Sequence, residues 1–210
     1  MTELLRQSLD YFLSIDITEA LGLIFGLLCV YFLIKENVFT WPTGITYILL
    51  SLYIFWTQQL YGDFILHIFF LILNIYGWYY WVYGKKDTEE KVVVRWLSLR
   101  WNVVYLFLSL IGVLAFGLFL SNIHVLFPNL IPASVPYWDA ATTSLSVTAM
   151  WLTARKKVEN WIYWFAVDIL AAGIYFYKGI YFYSLLYFVY IGLAVAGYLE
   201  WKKLAKQKIS

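Results

Sequence analysis

The chain has 210 residues, 63 % of them hydrophobic and 13 % charged, against roughly 45–50 % and about 25 % in a soluble globular domain. A soluble fold of this size has nowhere to hide that much apolar surface, and the same figures exclude disorder, collagen, coiled coil and a nucleic-acid-binding domain. An integral membrane protein remains.

Residues 1–17 are expected to form an external tail. The start, Met1 to Arg6, lacks the basic opening and small-residue cleavage site of a signal peptide, so the first apolar segment is expected to stay. A crossing helix needs about 20 mainly apolar residues, and the alternation of a barrel strand is missing. Seven windows qualify, at about 18–36, 39–59, 62–84, 102–122, 138–154, 160–178 and 181–201. The first holds Cys29, the sole cysteine, which forms no internal disulfide and reads as a small packed hydrophobe. Pro42 opens the second, where its missing N–H is harmless; a hinge is the other reading. His67 and Asn74 lie within the third, on one stripe.

Residues 85–122 make a cytoplasmic loop and a linker span, and 123–137, with Pro128, Pro132 and Pro136, an irregular external loop. Asp139 opens the fifth span and serves either as its N-terminal cap or as a ligand contact. Thr142, Thr143, Ser144, Ser146 and Thr148 give this span many hydroxyls, to line a polyol cavity or to satisfy backbone carbonyls between helices. Residues 202–210 form the last tail.

With seven spans, one face carries only Arg6 and Lys178. The other carries the remaining thirteen Lys and Arg, from Lys35 through the clusters at 85–100, 155–157 and 202–208. The positive-inside rule puts the N-terminus outside and the C-terminus in the cytoplasm. The chain also repeats. Glu36-Asn37 and Trp41 match Glu159-Asn160 and Trp164 at an offset of 123, and Gly77, Trp81, Lys85 and Lys86 match Gly197, Trp201, Lys202 and Lys203. The second set is nearly in step at 120, implying a three-residue deletion. Residues 18–84 and 138–201 are thus two three-helix units, and the odd linker span between them gives both the same orientation. Parallel repeats of this kind bind substrate at their interface near the midplane.

A polar side chain at bilayer depth is expensive, about 2.5–3.5 kcal/mol for a central Asp, and marks a site by default. Trp161, Trp164, Asp168 and Tyr175 share one face of the sixth span. A carboxylate among aromatic rings suits a flat organic cation; packing against a neighbouring helix is the plainer alternative. No Walker loop, metal-ligand spacing or nucleophile motif appears, so no cofactor, metal or enzyme activity is expected.

The run Leu60-Tyr61, Asn74-Ile-Tyr-Gly-Trp-Tyr79 and Trp81, with Tyr137-Trp-Asp139 and Glu159-Asn-Trp161-x-x-Trp164-x-x-x-Asp168, resembles the PnuC-type nicotinamide riboside transporters over about 18–203. The resemblance implies an all-α membrane protein of seven spans in a 3+1+3 plan related to the SWEET sugar transporters. It implies facilitated diffusion of a vitamin-like nucleoside across the bacterial inner membrane, with thiamine as the alternative cargo. The lipid bilayer and the small-molecule substrate are the expected partners, and a homo-oligomer is compatible with the plan. The implied substrate-binding set is Trp161, Trp164, Asp168, His67, Asn74, Asp139, Trp41 and Tyr175. His67 stands where many relatives carry Gln, and Val167 where some carry Asn.

Overall fold

The computed structural model describes residues 2–57, 61–84, 92–126 and 134–207. Leu60, Lys85, Lys86, Lys91, Pro128, Pro132 and Lys208 lie outside them, so the expected loops at 85–91 and 127–133 are not described. Nine helices are present among the described residues: α1 (Thr2–Ser14), α2 (Ile17–Ile34), α3 (Thr40–Thr57), α4 (Tyr61–Tyr83), α5 (Leu99–Ser121), α6 (Ile123–Leu126), α7 (Pro136–Ala154), α8 (Asn160–Tyr177) and α9 (Tyr181–Gln207).

The seven expected spans correspond to α2, α3, α4, α5, α7, α8 and α9, with ends shifted by a few residues and α9 longer by six. Four of these, α2, α4, α5 and α9, contain windows long and apolar enough to cross a membrane. The other three have 18 or 19 residues, about 27–29 Å at 1.5 Å per residue. Most of the segment at 1–17, expected as an external tail, is helical. It forms α1, whose Leu5, Leu9, Phe12 and Leu13 make an exposed apolar stripe at helical spacing, the pattern of an interfacial helix. Tyr11 of α1 and Tyr183 of α9 both donate to the Glu19 carboxylate of α2.

Six helices close a ring: α2 packs on α3, α3 on α4, α4 on α7, α7 on α8, α8 on α9, and α9 back on α2. α5 lies outside against α7, and α1 against α9. The α5 contact uses small residues. A side chain at Gly117 would run into the Tyr137 ring, Ser144 donates to the Ser109 carbonyl at 2.8 Å, and the Ser109 and Thr148 hydroxyls meet at 2.8 Å. Of the five α7 hydroxyls, Ser144 and Thr148 therefore serve this contact, and Thr142 bonds carbonyls of its own helix.

Helix ends settle the register of the repeat. α2, α3 and α7, α8 end or begin at Ile34, Thr40, Thr57 and Ala154, Asn160, Tyr177, and α4 and α9 begin at Tyr61 and Tyr181. Each matched pair is 120 residues apart. The offset of 123 is corrected, and no deletion is needed. Trp41 now pairs with Trp161. A side chain at Gly77 would strike the Trp41 ring, and one at Gly197 the Trp161 ring. Trp41 meets Trp81 edge-on at 5.2 Å, and Trp161 meets Trp201 edge-on at 5.7 Å.

These four indoles, with Leu33, Ile34, Ala154 and Val158, form the main buried core at one end of the ring. There each unit donates an indole N–H to a helix-end carbonyl of the other. Trp81 donates to Ala154 O at 3.2 Å, and Trp201 to Leu33 O at 2.9 Å. Both first helices finish in the same two-bond motif, Asn37 N to Phe32 O with Glu36 N to Leu33 O, and Lys157 N to Leu152 O with Lys156 N to Thr153 O. That motif wants a left-handed residue, usually Gly. Here Glu36 and Lys156 take it, at φ 52° and 51°. They sit 120 apart, carry opposite charges, and pair at 2.6 Å. Lys156 also lies 4.3 Å above the Trp81 ring. Opposed charges at equivalent positions lock the two units together.

Candidate functional site

The ring encloses a cavity of about 290 Å³, near the lower end of small-molecule sites. Twenty of its lining residues form ten pairs 120 apart, among them Gly26 and Ser146, Trp41 and Trp161, Gly44 and Trp164, Ile48 and Asp168, His67 and Tyr187, and Asn74 and Ala194. The cavity therefore sits on the axis relating the two units.

Six of the eight expected site residues line it: Trp41, His67, Asn74, Trp161, Trp164 and Asp168. Asp168 is 7 % exposed. Among the described residues its carboxylate has no hydrogen bond and no ion pair. Trp164 is held by a relay. Its indole donates to the Thr153 hydroxyl at 3.1 Å, that hydroxyl meets Asn160 Oδ1 at 3.2 Å, and Asn160 Nδ2 donates to Lys157 O at 2.6 Å. The relay starts one turn from the Glu36–Lys156 lock, so the orientation of Trp164 depends on the end of α7. Asn74 donates through Nδ2 to Phe70 O at 3.0 Å, which leaves its carbonyl oxygen on the cavity side of the bond. His67 packs edge-on against Phe55 at 4.6 Å and Phe70 at 5.8 Å.

The other two, Asp139 and Tyr175, do not line the cavity. α7 begins at Pro136, so Asp139 falls within its first turn and is not its cap. It faces Lys178 at 3.8 Å instead. Tyr175 is 14 residues beyond Trp161, about 21 Å along the helix, and stacks on Tyr183 and Tyr187. Pro42 is the third residue of α3, among the first N–H groups that lack a partner in any helix, and it breaks nothing.

Three tyrosines were missed. Tyr47, Tyr187 and Tyr190 line the cavity. The last two occupy the positions of His67 and Phe70 in the second unit, so a correct 120-residue register would have found them. Trp41 and Trp161 are 1 % and 2 % exposed, and neither indole N–H has a hydrogen-bond acceptor among the described residues.

An apolar ring of helices around an axial cavity, with a carboxylate inside and no Lys or Arg among the described lining residues, fits a membrane carrier. The sequence matches the nicotinamide mononucleotide transporter family over residues 16–203. The chain belongs to that family, whose members are transporters and not enzymes. It is 32 % identical over 212 residues to the nicotinamide riboside transporter PnuC of Escherichia coli, covering 90 % of this chain and 87 % of that one. It is 24 % identical to the PnuC of Neisseria mucosa, covering 87 % and 70 %. It is also 26 % identical to the riboflavin/roseoflavin transporter RibM of Streptomyces davaonensis, covering 88 % and 84 %. The crystal structure of a vitamin B3 transporter PnuC superposes with a TM-score of 0.70 at 22 % identity, over 97 % of this chain and 88 % of that one. That likeness speaks for the fold.

Proposed function

We propose that this chain carries nicotinamide riboside across a bacterial inner membrane by facilitated diffusion with alternating access. In this reading α2–α4 and α7–α9 are two parallel three-span units joined by the linker span α5. The basic end of the ring, with Lys35, Arg155, Lys156, Lys157 and Lys202, faces the cytoplasm by the positive-inside rule, and α1 lies on the external surface.

One observation carries the choice of cargo. Asp168 is a buried carboxylate without a partner among the described residues, in a cavity walled by indoles and phenols. An unpaired charge there is strongly unfavourable, and a pyridinium ring offsets it while stacking on Trp164. The same inventory argues against the mononucleotide in the family's description. A phosphate calls for Arg or Lys partners, and the described lining offers none while presenting a like charge. A flavin such as the RibM cargo is neutral and leaves Asp168 unanswered. Thiamine is a flat aromatic cation and competes on equal electrostatic terms.

Calorimetry on the purified protein with nicotinamide riboside, its 5′-phosphate, thiamine and riboflavin tests this. The riboside should bind, and its phosphate more weakly by about two orders of magnitude, the loss of roughly 3 kcal/mol that follows from burying an unpaired charge. Equal binding of the phosphate would overturn the reading, and thiamine binding tighter than the riboside would reassign the cargo.

A further inference from the structure

The cavity is built from matched positions, yet its two sides differ most at one pair. Position 164 carries an indole; position 44, its equivalent, carries glycine. A Cβ at Gly44 would lie 2.7 Å from the Asn74 carbonyl oxygen and 3.1 Å from Cys29 Sγ. The missing side chain therefore lets the Asn74 oxygen lie against the α3 backbone, in the space that a side chain at position 44 would fill. Asn74 is fixed there through its amide nitrogen, which donates to Phe70 O at 3.0 Å. Cys29 and Thr40 do not compete for that oxygen, because they bond each other: Cys29 Sγ donates to Thr40 O at 3.3 Å and the Thr40 hydroxyl to Cys29 O at 2.9 Å.

We infer that Gly44 is a specificity-determining position: by admitting the Asn74 oxygen it places the ligand off the axis, with the aromatic ring on the α8 side and the hydroxylated part toward Asn74. An acceptor fixed in one wall of the cavity selects for a hydroxyl donor, and a site built to hydrogen-bond a hydroxyl discriminates strongly against analogues without one. A symmetric cavity, with small residues at both positions or indoles at both, has no such preference for the direction in which a two-part ligand lies. The inference rests on the proposed cargo class, a flat cation bearing a polyol.

The test uses the full-length purified protein and two probes, nicotinamide riboside and 1-methylnicotinamide, methylated at the ring nitrogen, which keeps the cationic ring and lacks the sugar. Calorimetry is run on wild type, G44A and G44V, with melting temperature recorded for each. An added methyl or isopropyl group should lower riboside affinity by at least about tenfold, the effect of a methylene-sized misfit. 1-Methylnicotinamide affinity should change by less than about threefold, so the ratio between the two ligands collapses. If Gly44 only permits helix packing, yield and melting temperature fall and the ratio stays; that outcome overturns the inference. Should G44V fail to fold, G44A alone decides by the same ratio. Wild type that binds neither cation would instead remove the functional reading.

Discussion

The two three-helix units share a frame and differ in what they present to the cavity. Frame positions are either duplicated, as with Trp41 and Trp161 over Gly77 and Gly197, or complementary, as with Glu36 and Lys156. Apart from those two indoles, which also line it, the matched cavity positions have diverged: Ile48 corresponds to Asp168, Gly44 to Trp164, and Asn74 to Ala194. Where the two halves must dock on each other, the matched residues are equal or opposite; where they must hold an asymmetric molecule, they are unlike. Recognition thus resides in the differences between the units and stability in their correspondence.

Changes at the lock should therefore act on stability first. Glu36→Gln leaves Lys156 buried without its counter-charge, and loss of one partner of a buried pair destabilises by about 3–5 kcal/mol. The pair is 9 % and 20 % exposed at its side chains, which puts the effect near about 3 kcal/mol. The double exchange Glu36→Lys with Lys156→Glu should recover most of it. Denaturation midpoints in detergent check this, and a double exchange no more stable than the single change would dissolve the idea of a matched lock.

Next in size are changes at the cavity, which should act on affinity. Asp168→Asn keeps the shape and removes the charge, weakening riboside binding by about 1–3 kcal/mol; Ile48→Val, its counterpart in the first unit, should leave binding nearly unchanged. Trp164→Ala should weaken binding by about 1 kcal/mol or somewhat more, and Trp164→Phe by less, because part of the stacking survives. Affinity measured on the folded fraction separates both from loss of fold. Smallest of all, His67→Tyr makes the pair at 67 and 187 alike. It should shift the preference among ring-substituted analogues by less than about tenfold, read by competition with a labelled riboside.

Much of the fold was legible because about 20 apolar residues leave few alternatives to a crossing helix. The face shared by Trp161, Trp164 and Asp168 followed from helical spacing alone. The same periodicity carries the stripe on to Tyr175, which lies outside the cavity lining. The repeat was visible but misregistered, because Glu36-Asn37 resembles Glu159-Asn160 by identity while its true counterpart, Lys156-Lys157, differs in charge. A search for sameness does not find a pairing built on opposition. For that reason Tyr187 and Tyr190 stayed hidden, as did the Glu36–Lys156 contact. α1 was missed because its short, partly polar stripe is too weak a signal to stand against a tail.

The central claim is that Asp168 reads the positive charge of the ring. Its most direct test compares nicotinamide riboside with its reduced dihydropyridine form, which has nearly the same shape and no charge, on wild type and Asp168→Asn. Wild type should prefer the cation by at least about tenfold, and Asp168→Asn should bind the two forms equally, the difference reporting a charge-assisted contact. If Asp168→Asn weakens both forms alike and the preference for the cation persists, Asp168 does not recognise the charge, and the carboxylate has some other role in the carrier.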